Sequence, residues 1–289
     1  MAVTGLYSQH GNNKKVLYLR NAILALVLFF TAFVCLFPLF YMIMNSFGPA
    51  GAMADSSRSV FPATWSLESY QAFFSFSPYS SKWLVNSLIV ACSTVLGNVV
   101  FASMAGYAFA KLHFKGRHFL FYLILVSMMI PYQVSQVPLS VLIVNQFHIS
   151  NTYPALFLPG FVTAYNIFLT KQFFTSIPTE LIESAKLDGC NQLAVFVRII
   201  LPLSQTILAV LAITTFLGSW NSFFWPFLVT SEEGMYTIQV GLKQFKFANA
   251  TLFGPMMAGA SISAVPMFIL FFCLQKYFLE GVTVGAVKG

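Results

Sequence analysis

Charge is scarce in this chain. Only 8% of its 289 residues are charged, against about 25% in soluble domains, so it cannot cover itself with a polar surface. That scarcity excludes an ordinary water-soluble domain, and the 58% apolar content places the chain in lipid. Acids are rarest of all, eight against fifteen lysines and arginines, for a formal net charge of +7. In a membrane chain such a basic excess sits in cytoplasmic loops and sets orientation; it does not call for nucleic acid.

Other absences narrow the chemistry. Cysteines number four, at 35, 92, 190 and 273, without metal-ligand spacing, so neither a disulfide framework nor a metal site is expected. No Gly-x-x-x-x-Gly-Lys-Ser/Thr phosphate cradle occurs, which excludes ATP binding by that route and leaves the chain with no nucleotide cofactor of its own. Paired carboxylates, an activated nucleophile and a His–Cys cluster are also missing, and His10, His113, His118 and His148 fall in loops or tails. The chain reads as non-catalytic.

What remains is long apolar runs. Six of them, near 21–46, 84–110, 119–144, 153–172, 204–230 and 255–276, each reach the roughly 20 residues that a helix needs to cross about 30 Å of hydrocarbon. The expectation is an all-α protein with six transmembrane helices in one domain over 21–276, a tail at 1–20, a second tail at 277–289, and a long loop at 173–203. Asp, Glu and Arg are absent from the runs, and Lys171 stands at an inner end where it can snorkel. A proton-coupled carrier or voltage sensor would ordinarily bury such groups. The apolar run after Arg20 is too long for a cleaved leader and reads as a retained span.

Alternating the run ends from an inside start collects eleven of the fifteen basic residues on the cytoplasmic side and leaves Arg58, Lys82, Lys243 and Lys246 outside. This bias puts both termini in the cytoplasm. Prolines 38, 131, 138, 159, 226 and 266 fall within runs, where each removes a backbone hydrogen bond and tends to kink the helix. Ala102, Gly106 and Ala110, four apart, let another helix approach closely.

The inner loop between the fourth and fifth runs, IPTELIESAKLDGCNQLAVFVRIILPLSQ, is too long to be a mere connection. Pro178, Glu180, Glu183 and Gly189 carry the start and stop signals of a short helix. A second amphipathic segment, 193–200, leads to Pro202. At about 100° per residue, Leu181, Ile182 and Ala185 share a face that lies against the span ends, while Leu187 falls between Glu180 and Glu183 on the opposite one. An apolar residue between two acids suits a pocket in another protein; an interfacial surface helix is the alternative.

Glu183-Ser184-Ala185, Gly189, Ile199 and Leu201-Pro202 stand at the spacing of the Glu-Ala-Ala-x3-Gly-x9-Ile-x-Leu-Pro loop, and this chain resembles the permease subunits of binding-protein-dependent ABC importers. Ser184 in the second position of that motif, where the first alanine stands, is the one departure. Asp188-Gly189, Trp220-Asn221-Ser222-Phe223 and the tail QKYFLEGVTVGAVKG are similar to the maltose-type, carbohydrate-transporting branch. The resemblance implies a type I importer permease fold in a bacterial or archaeal cytoplasmic membrane. It also implies a second homologous permease, two ATPase subunits that hold the ATP and magnesium, and an external sugar-binding protein, with no nucleic-acid partner. Glu183, Ser184, Ala185, Leu187, Asp188, Gly189, Leu201 and Pro202 would then form the ATPase-coupling element, with the outer loop 231–254 a docking surface for the binding protein.

The spans hold no deep Lys or Arg for an acidic solute, so a neutral sugar is the expected cargo. Gln133, Gln136, Asn166, Trp220 and Asn221 are the side chains at suitable depth to hold one. Interhelical packing is the competing role for each. A polyol or glycerol phosphate carried by the same machinery, and an ion-coupled carrier, are the alternative functions.

Overall fold

The computed structural model describes residues 5–51, 60–62, 64–246 and 251–286. Every regular element among them is helical. In chain order these are α1 (Gly5–Ser46), α2 (Glu68–Ser75), α3 (Ser80–Lys111), α4 (Arg117–Ser127), α5 (Tyr132–Val141), α6 (Tyr153–Phe157) and α7 (Ala164–Thr175). There follow α8 (Thr179–Leu187), α9 (Gln192–Val195), α10 (Leu201–Leu203), α11 (Gln205–Trp220), α12 (Phe224–Val229), α13 (Ile238–Lys243) and α14 (Phe253–Ala286). Arg58 and Lys288, which entered the charge count, lie outside the described residues, as do residues 1–4 and 287–289 of the two tails. From Gly5, and on to Ala286, those tails continue the helices they adjoin.

Three helices are long and apolar enough to cross a membrane among the described residues: Val16–Ser46, Ser80–Lys111 and Phe253–Lys276. Counting each of two bent pairs as one span raises the number to five. The remaining apolar runs are not continuous helices, and the reasons are local. Run 119–144 breaks between α4 and α5, which meet at 96°; Pro131 has no N–H to offer the preceding turn and disfavours helical geometry at Ile130. Run 153–172 is interrupted by a 3-10 turn, Leu158–Gly160, containing Pro159, and restarts where the Thr163 hydroxyl accepts from the Asn166 N–H at 3.4 Å. Run 204–230 begins with a bend of 80° at Ser204 and stops at Trp220, with α12 starting anew at Phe224. By contrast, α1, α5 and α14 run through Pro38, Pro138 and Pro266.

The chain divides into two compact units. The smaller comprises residues 1–72 and 250–261. In it the end of α1 is tied to the start of α2: Ser46 Oγ and Tyr70 Oη share a hydrogen bond of 2.8 Å, and Ser69 Oγ donates to the Gly48 carbonyl at 2.6 Å.

The larger unit is organised around α3, which packs on α7 and α11. The small residues on α3 set those distances. A Cβ on Gly106 would lie 2.6 Å from Thr170 Cβ and 3.0 Å from the Lys171 nitrogen, and one on Gly97 would overlap the Phe161 ring. Ala102 is fully buried, and its carbonyl accepts from Thr170 Oγ1 at 2.9 Å. Thus two of the three small residues expected at this contact meet α7, and Ala110 packs against the adjoining core.

Candidate functional site

Three places in the larger unit combine sequence expectation with specific geometry. The first is the loop 173–203. Helix α8 starts after Pro178 and ends in a paired turn: the Cys190 N–H bonds the Ala185 carbonyl at 2.9 Å and the Gly189 N–H bonds the Lys186 carbonyl at 3.0 Å. This Schellman arrangement needs a left-handed residue, and Gly189 supplies it with φ of 83°. Asn191 then caps α9, its Oδ1 accepting from the Ala194 N–H at 2.8 Å. A π-helical stretch, Phe196–Ile200, absorbs the approach to Leu201 and Pro202.

Ile182 and Ala185 are buried, whereas Leu181, expected beside them, is 44% exposed. The reason is angular: the stripe centres between Ile182 and Ala185, so Leu181 lies at its rim. Glu183, Ser184 and Asp188 are exposed, with Ser184 Oγ bonded back to the Glu180 carbonyl at 2.8 Å. Leu187 is 89% exposed. Beneath this face the loop is fused to the spans: Ile182, Ala185, Val195, Phe196 and Ile200 share one core with Tyr107, Phe174 and Leu211. Tyr107 Oη donates to Gln192 Oε1 at 2.9 Å, and Lys111 Nζ donates to the Ile177 carbonyl. Helix α8 is thereby packed against the ends of α3 and α7 and against α11.

The second place is a cavity of about 420 Å3 between α3, α6, α7, α11 and α12. Its polar wall includes Thr94, Thr163, Asn166, Thr215, Ser219 and Ser222; Leu156, Pro159 and Trp225 supply apolar surface, and no lining residue is charged. Of the five pathway residues read from the sequence, Asn166 alone lines it. Trp220 is instead buried, donating from Nε1 to the Ser263 carbonyl at 3.0 Å and stacking on Phe216, which is the packing role. Gln133 and Asn221 are exposed and do not line the cavity, although their neighbours Tyr132 and Ser222 do. Gln136 is buried and its Oε1 finds no hydrogen-bond partner among the described residues. The threonines and serines of the wall were missed because a hydroxyl in an apolar run ordinarily bonds its own helix.

The third place is the segment 231–238, held from two sides. Asn86 Nδ2 donates to the Gly234 and Tyr236 carbonyls at 3.0 and 2.9 Å, and its Oδ1 accepts from Tyr153 Oη at 2.7 Å. Trp83 Nε1 donates to the Glu233 carbonyl at 3.1 Å, and Ser87 Oγ accepts from the Ile238 N–H at 2.7 Å. From the other side Asn151, at φ of 55°, accepts from the N–H groups of Ser231 and Glu232. Asn86→Leu removes three of these bonds and strands two carbonyls, a cost of about 1–3 kcal/mol per group left unpaired. Amide exchange across 233–238 is expected to accelerate at least tenfold while exchange in α7 stays as in the wild type; equal protection of the segment would show that Asn86 does not hold it.

A chain with three to five apolar helical spans, a structured loop fused to their ends and an uncharged internal cavity is built to pass a solute and to be moved by another protein. Residues 98–284 match the family described as binding-protein-dependent transport system inner membrane component, and the chain belongs to that family. It is 36% identical over 262 residues, 90% of this chain and 94% of the relative, to the arabinooligosaccharides transport system permease protein AraQ of Halalkalibacterium halodurans. With the trehalose/maltose transport system permease protein MalG of Thermococcus litoralis it shares 31% identity over 280 residues, 96% of this chain and 98% of the relative. The fold is shared with a solved bacterial ABC transporter involved in the import of the acidic polysaccharide alginate, at TM-score 0.78 and 22% identity over 90% of this chain and 97% of that one. The protein is a multi-pass, non-catalytic permease of the cytoplasmic membrane that works with a partner ATPase and a solute-binding protein.

Proposed function

We propose that this chain is one of two homologous permeases of an ATP-driven importer for a neutral mono- or oligosaccharide. Both termini lie in the cytoplasm, and six passes are counted with the interrupted segments 117–146, 153–175 and 205–229 each taken as one. ATP and magnesium are held by two ATPase subunits. The loop 173–203 is the coupling element: Leu187 enters a pocket of an ATPase, Glu183 makes a charge-assisted contact at its rim, and Gly189 holds the turn between the two short helices. Closure of the ATPases moves α8 and, through the shared core at Tyr107, Phe174 and Ile200, rocks the spans between inward-facing and outward-facing states. The outer loop 231–254, of which residues 247–250 lie outside the described residues, receives the solute-binding protein.

One observation carries the choice of cargo. The cavity wall offers hydroxyls, an amide and an aromatic edge with no lysine or arginine, a composition that suits a sugar, and the names of the arabinooligosaccharide and trehalose/maltose relatives point the same way. Glycerol phosphate is disfavoured because a phosphate there would meet no positive side chain. The test is reconstitution of the copurified complex in liposomes. Uptake of a labelled neutral saccharide is expected only with the binding protein outside and ATP reaching the ATPases inside. Accumulation driven by a proton or sodium gradient without the ATPase would overturn this function.

A further inference from the structure

The amide of Asn166 has one atom unaccounted for. Asn98 Nδ2 donates to the Gly160 carbonyl at 3.0 Å, a group that can only accept, so the orientation of the Asn98 amide is determined and its Oδ1 must accept. Asn166 Nδ2 donates to that Oδ1 at 2.6 Å and to Thr215 Oγ1 at 3.0 Å, which consumes both of its protons. Asn166 Oδ1 is thereby left as an acceptor that no group among the described residues satisfies, on a side chain only 4% exposed that lines the cavity. That oxygen opens on the cavity, so its partner is whatever fills the space.

Its neighbour has the complementary vacancy. Thr94 and Thr214, also in the wall, donate to carbonyls of their own helices, Val90 at 2.7 Å and Val210 at 2.8 Å. Thr215 Oγ1 receives from Asn166 and donates to nothing among the described residues. An acceptor and a donor therefore stand side by side at one wall, and each hydroxyl of a sugar can both donate and accept. Leu156, Pro159 and Trp225 offer apolar surface for the C–H faces of a ring. At about 420 Å3 the space is near the lower end of small-molecule sites, roughly 300–1,000 Å3.

We infer that this cavity is a solute subsite within this subunit, where a neutral polyhydroxylated ring donates a hydroxyl proton to Asn166 Oδ1 and accepts one from Thr215 Oγ1. The inference rests on the saccharide reading above and adds the place and the contacts. Water filling the cavity between transport events satisfies the same two atoms, and the ring displaces it.

The experiment measures initial uptake by the complete reconstituted importer, using labelled maltose, trehalose and arabinobiose as probes. Thr215→Val, close in shape to the wild type, is expected to raise KM about three- to tenfold, the worth of one neutral hydrogen bond, with Vmax within twofold. Thr215→Ser restores the KM. Asn166→Leu is expected to raise KM further, and because it also cuts the link to Asn98 its assembly is checked by size-exclusion profile. Thr31→Val, in an exposed position of α1, is the control and keeps the wild-type KM. Saccharide uptake whose KM is unmoved by Thr215→Val would overturn the subsite while leaving the saccharide reading in place. Uptake of glycerol phosphate with none of the neutral probes transported would overturn both.

Discussion

Gly106→Val is expected to eliminate folded protein that can enter a complex. The α3 and α7 backbones meet here at a distance that only a missing side chain permits: a Cβ at 106 lies 2.6 Å from Thr170 Cβ and 3.0 Å from the Lys171 nitrogen. The first obstacle cannot rotate away, because a Cβ is fixed by its own backbone; the Thr170 hydroxyl, with one proton to give, stands within reach of the Ala102 carbonyl at 2.9 Å and of carbonyls of its own helix. The second is main chain and moves only with all of α7. Overpacking a core costs about 1–3 kcal/mol and more where the backbone must yield, and α7 also carries Asn166 and Phe174, so separation disturbs the cavity wall and the core under α8 together. Loss of the monodisperse peak in detergent and a lower thermal midpoint are the readouts. Gly218→Ala provides the contrast, since nothing lies within 4 Å of its Cβ position; it is expected to be neutral or to gain up to about 1 kcal/mol from helix propensity. A Gly106→Val protein with a normal profile would refute the close-contact account of this fold.

That contact was legible in the sequence because it depends on one spacing, small residues at 102 and 106 on a single helix face. The loop 173–203 was equally legible for the same kind of reason: Pro178, Gly189 and the stripe of Ile182 and Ala185 act within a few residues of themselves, and the observed helix start and turn follow. Continuity of the spans was not. Apolar runs report what lipid or a core will accept, and they are silent about where Pro131 or the Leu158–Gly160 turn uncouples one helical piece from the next. Residue depths counted along the runs do not say which side chains meet at the cavity: Asn166 lines it, whereas Trp220 stacks on Phe216 and Gln133 and Asn221 are not in its lining. The cavity wall was illegible for another reason. Whether a threonine spends its proton on its own helix, as Thr94 and Thr214 do, or keeps it, as Thr215 does, depends on a rotamer set by tertiary neighbours.

Leu187→Asp is expected to detach the ATPase while leaving this chain folded. Leu187 is 89% exposed, so its side chain contributes almost nothing to the fold, and a surface substitution of that kind alters stability by no more than about 0.5 kcal/mol. Seated in a partner's pocket, the same leucine is worth about 1.5–3 kcal/mol of burial, and an aspartate in its place adds the cost of an unpaired charge between Glu180 and Glu183. A combined loss of about 3–4 kcal/mol weakens attachment by two to three orders of magnitude. The measurements are copurification of the ATPase, ATP-driven uptake and the thermal midpoint of the isolated permease; the first two are expected to collapse and the third to stay. Gly189→Pro has a different signature, because its fault lies inside the loop. Proline cannot adopt φ of 83° and has no N–H for the Lys186 carbonyl, so α8 loses its stop and its orientation while Leu187 and Glu183 remain available. Partial attachment with ATP hydrolysis no longer tied to uptake is the expected outcome. Were both variants to attach and transport as the wild type does, α8 would be a surface linker after all. Were Leu187→Asp to fail by unfolding the permease, its side chain would belong to this chain's own core and not to a partner's pocket.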